Sequence, residues 1–170
     1  MDKIEQALKI YLDDWGDWCS QEKGFAFKKL RPMHIGWKVP DELALGQEVT
    51  SSLPYIEQGH IGTVDNRKIV LLVLKAPMEG ISILQIMQLR PGSTDSLGLD
   101  HVAFYCNEMS ALEDALKKTT RRWEHQSNPG HSWISLWFGD KQREAKFFDH
   151  TSLDLGAHEL SETSEAIKAT

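Results

Sequence analysis

No stretch of this 170-residue chain approaches the roughly 18 consecutive apolar residues that a membrane-spanning helix needs. The opening MDKIEQALKIYLDD is acidic where a secretory signal would be basic, so a cytoplasmic protein with no membrane partner is expected. Cysteine is scarce: Cys19 and Cys106 are far apart and lack CxxC spacing, which argues against a disulfide framework and a cysteine zinc site. Both suit small buried apolar positions. Basic residues number 19 against 25 acidic ones, a formal charge of -6. The basic doublets Lys28-Lys29, Lys117-Lys118 and Arg121-Arg122 are scattered rather than clustered, so no nucleic-acid partner is expected.

What is present suits a folded domain. Hydrophobic residues make up 41% and charged residues 26%, far from the composition of disorder. A chain of this length buries roughly two thirds of its unfolded surface. Residues 1–30 form an N-terminal helical extension: Ile4, Leu8, Tyr11, Leu12, Trp15 and Trp18 recur at spacings of three and four, and the helix should end near Gly24. At Pro32 the period changes to two. MHIGWKV reads as a strand, and Pro40 opens a helix carrying Leu43, Leu45 and Val49. GHIGTV and KIVLLVL, joined at Asp65-Asn66, and GISILQIMQL read as three more strands. Residues 31–92 are thus a first β-α-β-β-β module. Residues 97–160 repeat the order: LDHVAFYC, a helix in MSALEDALKKTT with Asn107 as N-cap, then RRWEHQ, a turn at Asn128-Pro129-Gly130, HSWISLWFGD and REAKFF. Residues 161–170 lack a core pattern and are expected to be a flexible tail on one structural domain.

The two modules open on the same phrase. His34 and His101 are followed by Ile35 and Val102, Gly36 and Ala103, Trp37 and Phe104, and Val39 and Cys106. Alternation on a strand sends Ile35, Trp37 and Val39, and Val102, Phe104 and Cys106, toward the helices. Each histidine then faces the other way, with Gly36 or Ala103 leaving space beside it. Two imidazoles at equivalent positions on a sheet interior are candidate functional groups, because burial of each costs free energy unless it finds a partner.

Paired modules of this order, each opening on a histidine strand, resemble the vicinal oxygen chelate superfamily, which includes glyoxalases, extradiol dioxygenases and epimerases. ISILQIMQLRPG before LGLDHVAFYC, then WEHQSNP and WFGDKQREAKFFDHTSLDLGAHELSE, are similar to the YecM-like proteins within it. The resemblance implies an α+β fold with the two modules forming a curved, pseudo-twofold half-barrel sheet. It also implies a divalent metal held by one residue from the first and one from the last strand of each module. Those positions are His34, Gln88, His101 and His150, with Asp149 the alternative to His150 one residue away. Gln88 stands where the YecM-like pattern has glutamate, and a neutral ligand holds a divalent ion less strongly. Glu159 in AHEL resembles the terminal glutamate of other members and is assigned to the tail.

An imidazole-rich set with oxygen donors suits Zn, Ni, Fe or Mn, acting as a Lewis acid on adjacent oxygens of a small-molecule substrate. The expectation is a metal-dependent isomerase, lyase or dioxygenase, monomeric or homodimeric. The alternative is a non-catalytic small-molecule-binding protein using the same cavity without metal. No general base can be named from sequence. His125 and His131 flank a turn where they could line the cavity mouth, and His60 follows Gly59 at an expected turn. Trp133 and Trp137 share a strand face and are assigned to core filling.

Overall fold

The computed structural model describes residues 1–64, 66–128, 131–150 and 165–167. Helix α1 (Asp2–Gln21) is followed by β1 (Arg31–Val39), α2 (Glu42–Ser52), β2 (Ile56–Val64), β3 (Arg67–Met78) and β4 (Ile81–Gln88). The second run is β5 (Gly98–Tyr105), α3 (Met109–Leu116), β6 (Trp123–Asn128), β7 (His131–Phe138) and β8 (Arg143–Phe148), and β9 (Glu165–Ile167) comes last. The strands make one open, curved sheet in the order β6-β7-β8-β5-β1-β4-β3-β2-β9. In each run the first strand pairs in parallel with the last, β1 with β4 and β5 with β8. β1 and β5 meet antiparallel at the centre, where a pseudo-twofold relates the two β-α-β-β-β runs. The fold is therefore the α+β architecture that the repeated phrase predicts.

Three expectations at element ends need correction. The tail is not unpaired throughout, because the backbone of Glu165–Ile167 pairs with residues 59–61 of β2. The N-cap of α3 is Glu108, without a side-chain cap bond, rather than Asn107. Helix α2 begins after Asp41, whose Oδ1 accepts the Ala44 N–H at 2.8 Å, the local reason the helix starts there. Asp65, Pro129 and Gly130 of the expected turns, and Glu159, lie outside the described residues.

Among the described residues, the three α-helices pack on one face of the sheet. Leu8, Tyr11 and Trp15 of α1, Leu45 of α2 and Leu112 of α3 join Ile35, Val102, Phe104 and Phe147 in one continuous core. Trp15 stacks on Phe104 with ring centroids 4.7 Å apart and meets Phe138 edge-on at 4.9 Å. Full burial of side chains of this kind contributes about 1.5–3 kcal/mol each. The N-terminal extension is thus built into the domain. Polar bonds fix its setting: the buried Tyr11 hydroxyl donates to the Glu144 carbonyl at 2.6 Å, and Arg143 Nε donates to Asp14 Oδ2 at 2.7 Å. Among the described residues, no helix is long and apolar enough to cross a membrane.

Candidate functional site

The face of the sheet opposite the described helices carries the two histidines. In the antiparallel register of β1 and β5, His34 lies opposite Ala103 and His101 opposite Gly36, so each histidine faces the small residue of the other copy. The register shifts between Pro32 and His34, and again between Gly36 and Trp37, where Leu99 follows His101 as the next partner. Met33 and Asp100, each the residue before its histidine, are therefore the extra residues of two bulges related by the pseudo-twofold. A bulge breaks strict alternation and re-aims a side chain. At Asp100 it brings a carboxylate to the imidazole of the next residue, although neighbours on a regular strand point apart.

The resulting geometry is a chain of polar groups. His34 Nε2 and His101 Nε2 are 3.0 Å apart and buried, the side chains of Asp100 and His101 meet at 2.8 Å between Oδ2 and Nδ1, and Lys38 Nζ is 2.6 Å from Asp100 Oδ1. Burial, then the charges of His101 and Lys146, hold His34 well below the ordinary imidazole range. Burial and Lys146 also lower His101, against the opposing pull of Asp100. Burial pushes Asp100 up, but its bonds to His101 and Lys38 and the charge of Lys146 outweigh that, and its carboxyl is held well below the usual range. Both imidazoles are thus neutral near pH 7. Asp100, a carboxylate, accepts Nδ1–H from His101, which turns the His101 Nε2 lone pair toward His34 Nε2–H.

The other two expected ligands do not join them. In the parallel register of β1 and β4, Gln88 pairs with Val39, on the helix-covered side of β1, and its Oε1 accepts the Lys68 N–H at 3.3 Å. The glutamine on the histidine face is Gln85, buried and paired with Gly36. His150 takes its place beyond Phe148: the Phe148 ring centroid is 6.0 Å from that of His34 and 5.7 Å from that of His150. His150 Nδ1 is 2.7 Å from Oδ1 of exposed Asp149. The β8 residue beside His101 in register is instead Glu144. Among the described residues, no three His, Cys, Asp or Glu side chains close on a single point.

His60, expected at a turn, instead lies inside β2. It pairs with Leu71, which pairs with Gln85, so one row across the sheet runs His60, Leu71, Gln85, Gly36, His101, Glu144. The glycine before His60 suggested a turn, whereas both residues sit inside β2. His125 pairs with core Ile134 and is exposed on the helix side of the sheet, away from the site.

No family model matches the sequence, and no curated protein matches it. Among solved structures, Structural Genomics Protein EC4020 superposes with a TM-score of 0.71 at 14% identity, covering 93% of this chain and 92% of that one. A hypothetical protein, BH1468 from Bacillus halodurans C-125, superposes with a TM-score of 0.52 at 14% identity, covering 71% of this chain and 94% of its own. These likenesses show the fold. A putative dioxygenase from Bacillus subtilis subsp. subtilis str. 168 matches more loosely, with a TM-score of 0.44, 9% identity, and coverage of 69% of this chain and 40% of that one.

Proposed function

We propose that this chain is a small-molecule enzyme of the vicinal oxygen chelate type, with a divalent transition metal held between His34 and His101. The observation that supports it is the convergence of two buried imidazole Nε2 atoms at 3.0 Å, one ring being held from behind by Asp100. Metal-ligating histidines need a neutral ring whose other nitrogen is fixed by a carboxylate or carbonyl, and His101 has both. This reading assigns Glu144, which pairs with His101 in register, as the carboxylate that would turn in to add an oxygen donor. Such a donor set fits Zn, Ni, Fe or Mn.

When bound, the ion supplies Lewis acidity to oxygens of a small molecule on this face. The protein's own groups do the rest. Asp100 fixes the His101 tautomer and ring plane, and Lys38 compensates the Asp100 charge. Gly36 lets the His101 ring lie against the β1 backbone, and the Phe148 ring packs beside His34.

A second reading is a binding protein that uses the same face without metal. It is favoured by Gln88, which bonds the β3 backbone, and by a described donor set that brings only two nitrogens together. Elemental analysis and titration of chelator-stripped protein with Zn, Ni, Mn and Fe(II) separate the two. One equivalent bound, lost in a His34→Ala, His101→Ala variant and raising the melting temperature of the parent, supports the enzyme reading. Stripped protein whose melting is indifferent to all four ions supports the other.

A further inference from the structure

A cleft of about 570 Å³ lies on the helix-covered side of β1, where the first turn of α1, helix α2 and the residues entering β5 come together. Its volume suits a small ligand. Its lining includes Lys3 of α1, Trp37 and Lys38 of β1, Ala44 and Glu48 of α2, and Leu97 just before β5. It is therefore separate from the histidine site, which occupies the other face of the sheet.

Glu48 is the unusual member of that lining. It falls three residues after Leu45 on the buried stripe of α2 and is only 6% exposed. A buried carboxylate is costly unless both oxygens are paired. Glu48 Oε2 lies 2.5 Å from Lys3 Nζ, whereas Oε1 is buried without a hydrogen-bond partner among the described residues. The Lys3 ammonium is also 5.8 Å from the centroid of the Trp37 ring. A carboxylate and an indole around one ammonium group are the means by which proteins recognise amines. Here the amine is the protein's own. The Lys3 side chain is 63% exposed, so its release into water costs little. The other lysine of the lining is engaged elsewhere: Lys38 Nζ is 2.9 Å from Asp95 and 2.6 Å from Asp100.

We propose that this cleft binds a small organic amine, whose ammonium displaces that of Lys3 and donates to both oxygens of Glu48 beside the face of Trp37. The apolar stem of the ligand lies toward Ala44 and Leu97, the latter a 55% exposed leucine on the cleft. Lys3 is then a tethered competitor that fills the ammonium position when no ligand is bound. The proposal is independent of what the histidines hold.

The test compares n-butylamine, a cation at pH 7, with uncharged n-butanol by thermal shift and calorimetric titration at matched ionic strength on full-length protein. Butylamine should raise the melting temperature of the parent, and butanol should not. Lys3→Ala removes the competitor, so it should bind butylamine about threefold or more tightly than the parent does. Glu48→Gln, of equal size, should weaken binding about tenfold or more, as expected for loss of a charge-assisted bond. If Glu48→Gln fails to fold, the parent and Lys3→Ala titrations decide. Equal binding of butanol and butylamine, no butylamine binding by Lys3→Ala, or tighter binding by the parent than by Lys3→Ala overturns the proposal. So does an affinity that folded Glu48→Gln leaves unchanged.

Discussion

A methyl group added to Gly36 would lie 2.4 Å from Cε1 of His101, so the bare backbone at one position holds the imidazole at the other. The two residues face each other across β1 and β5, and the ring lies over the glycine. Gly36→Ala must therefore displace the ring or part the strands. The expected result is a folded protein destabilised by about 1–3 kcal/mol, as for an overpacked core. The His34–His101 contact and any metal affinity that depends on it should be lost. Unchanged denaturant stability and metal affinity would show that the ring sits elsewhere.

Asp100→Asn keeps the size of the side chain and removes its charge. If the carboxylate orients and polarises His101, metal affinity measured by competition with a coloured chelator should fall about 10–100-fold. Affinity equal to that of the parent would assign Asp100 to the Lys38 ion pair alone.

Stability should depend on pH through the same pair. His34 and His101 both protonate less readily in the folded state than at their ordinary value of 6.5. The unfolded chain therefore binds more protons below that pH, and stability present above it is lost as pH falls from about 6.5 toward the lowered folded values. Urea midpoints between pH 8 and 5 should fall in the parent and fall less in His34→Gln, His101→Gln. A parallel fall in both proteins would place the titration in other groups.

Gln88→Ala should leave metal binding intact, because the side chain is on the far face of β4 and serves the Lys68 backbone. Gln85→Leu, on the histidine face, is the substitution expected to change it. The reverse order of effects would restore the sequence assignment.

Trp15→Ala removes an indole that stacks on Phe104 and Trp18 and packs edge-on against Phe27 and Phe138. A loss of about 3–5 kcal/mol is expected from chemical denaturation. A loss below 1 kcal/mol would mean that α1 docks only loosely.

The repeated phrase carried much of the architecture. From MHIGWKV and DHVAFYC alone, alternation assigned Ile35, Trp37, Val102 and Phe104 to the helices and both histidines to the opposite face, as found. Pairing register was not legible. Gln85 and Gln88 differ by an odd number of positions, so a choice of face depends on how β4 aligns with β1, which no local pattern encodes. Asp100 was hidden for a related reason: alternation sends it away from His101, and only the bulge opposite Gly36 and Trp37 turns it back. Glu165–Ile167 escaped notice because three residues are too few to show a period, and their pairing is with residues a hundred positions earlier.

That last strand has a consequence for how the molecule lives among copies of itself. β2 would otherwise end the sheet with a row of open amides and carbonyls, the kind of border on which a foreign strand can crystallise out of solution. β9 occupies residues 59–61 of that border with the chain's own backbone and is itself only three residues long. A chain ending before Glu165 would keep its histidines and its helices yet present a stickier rim. The small strand's contribution is to solitude rather than to chemistry.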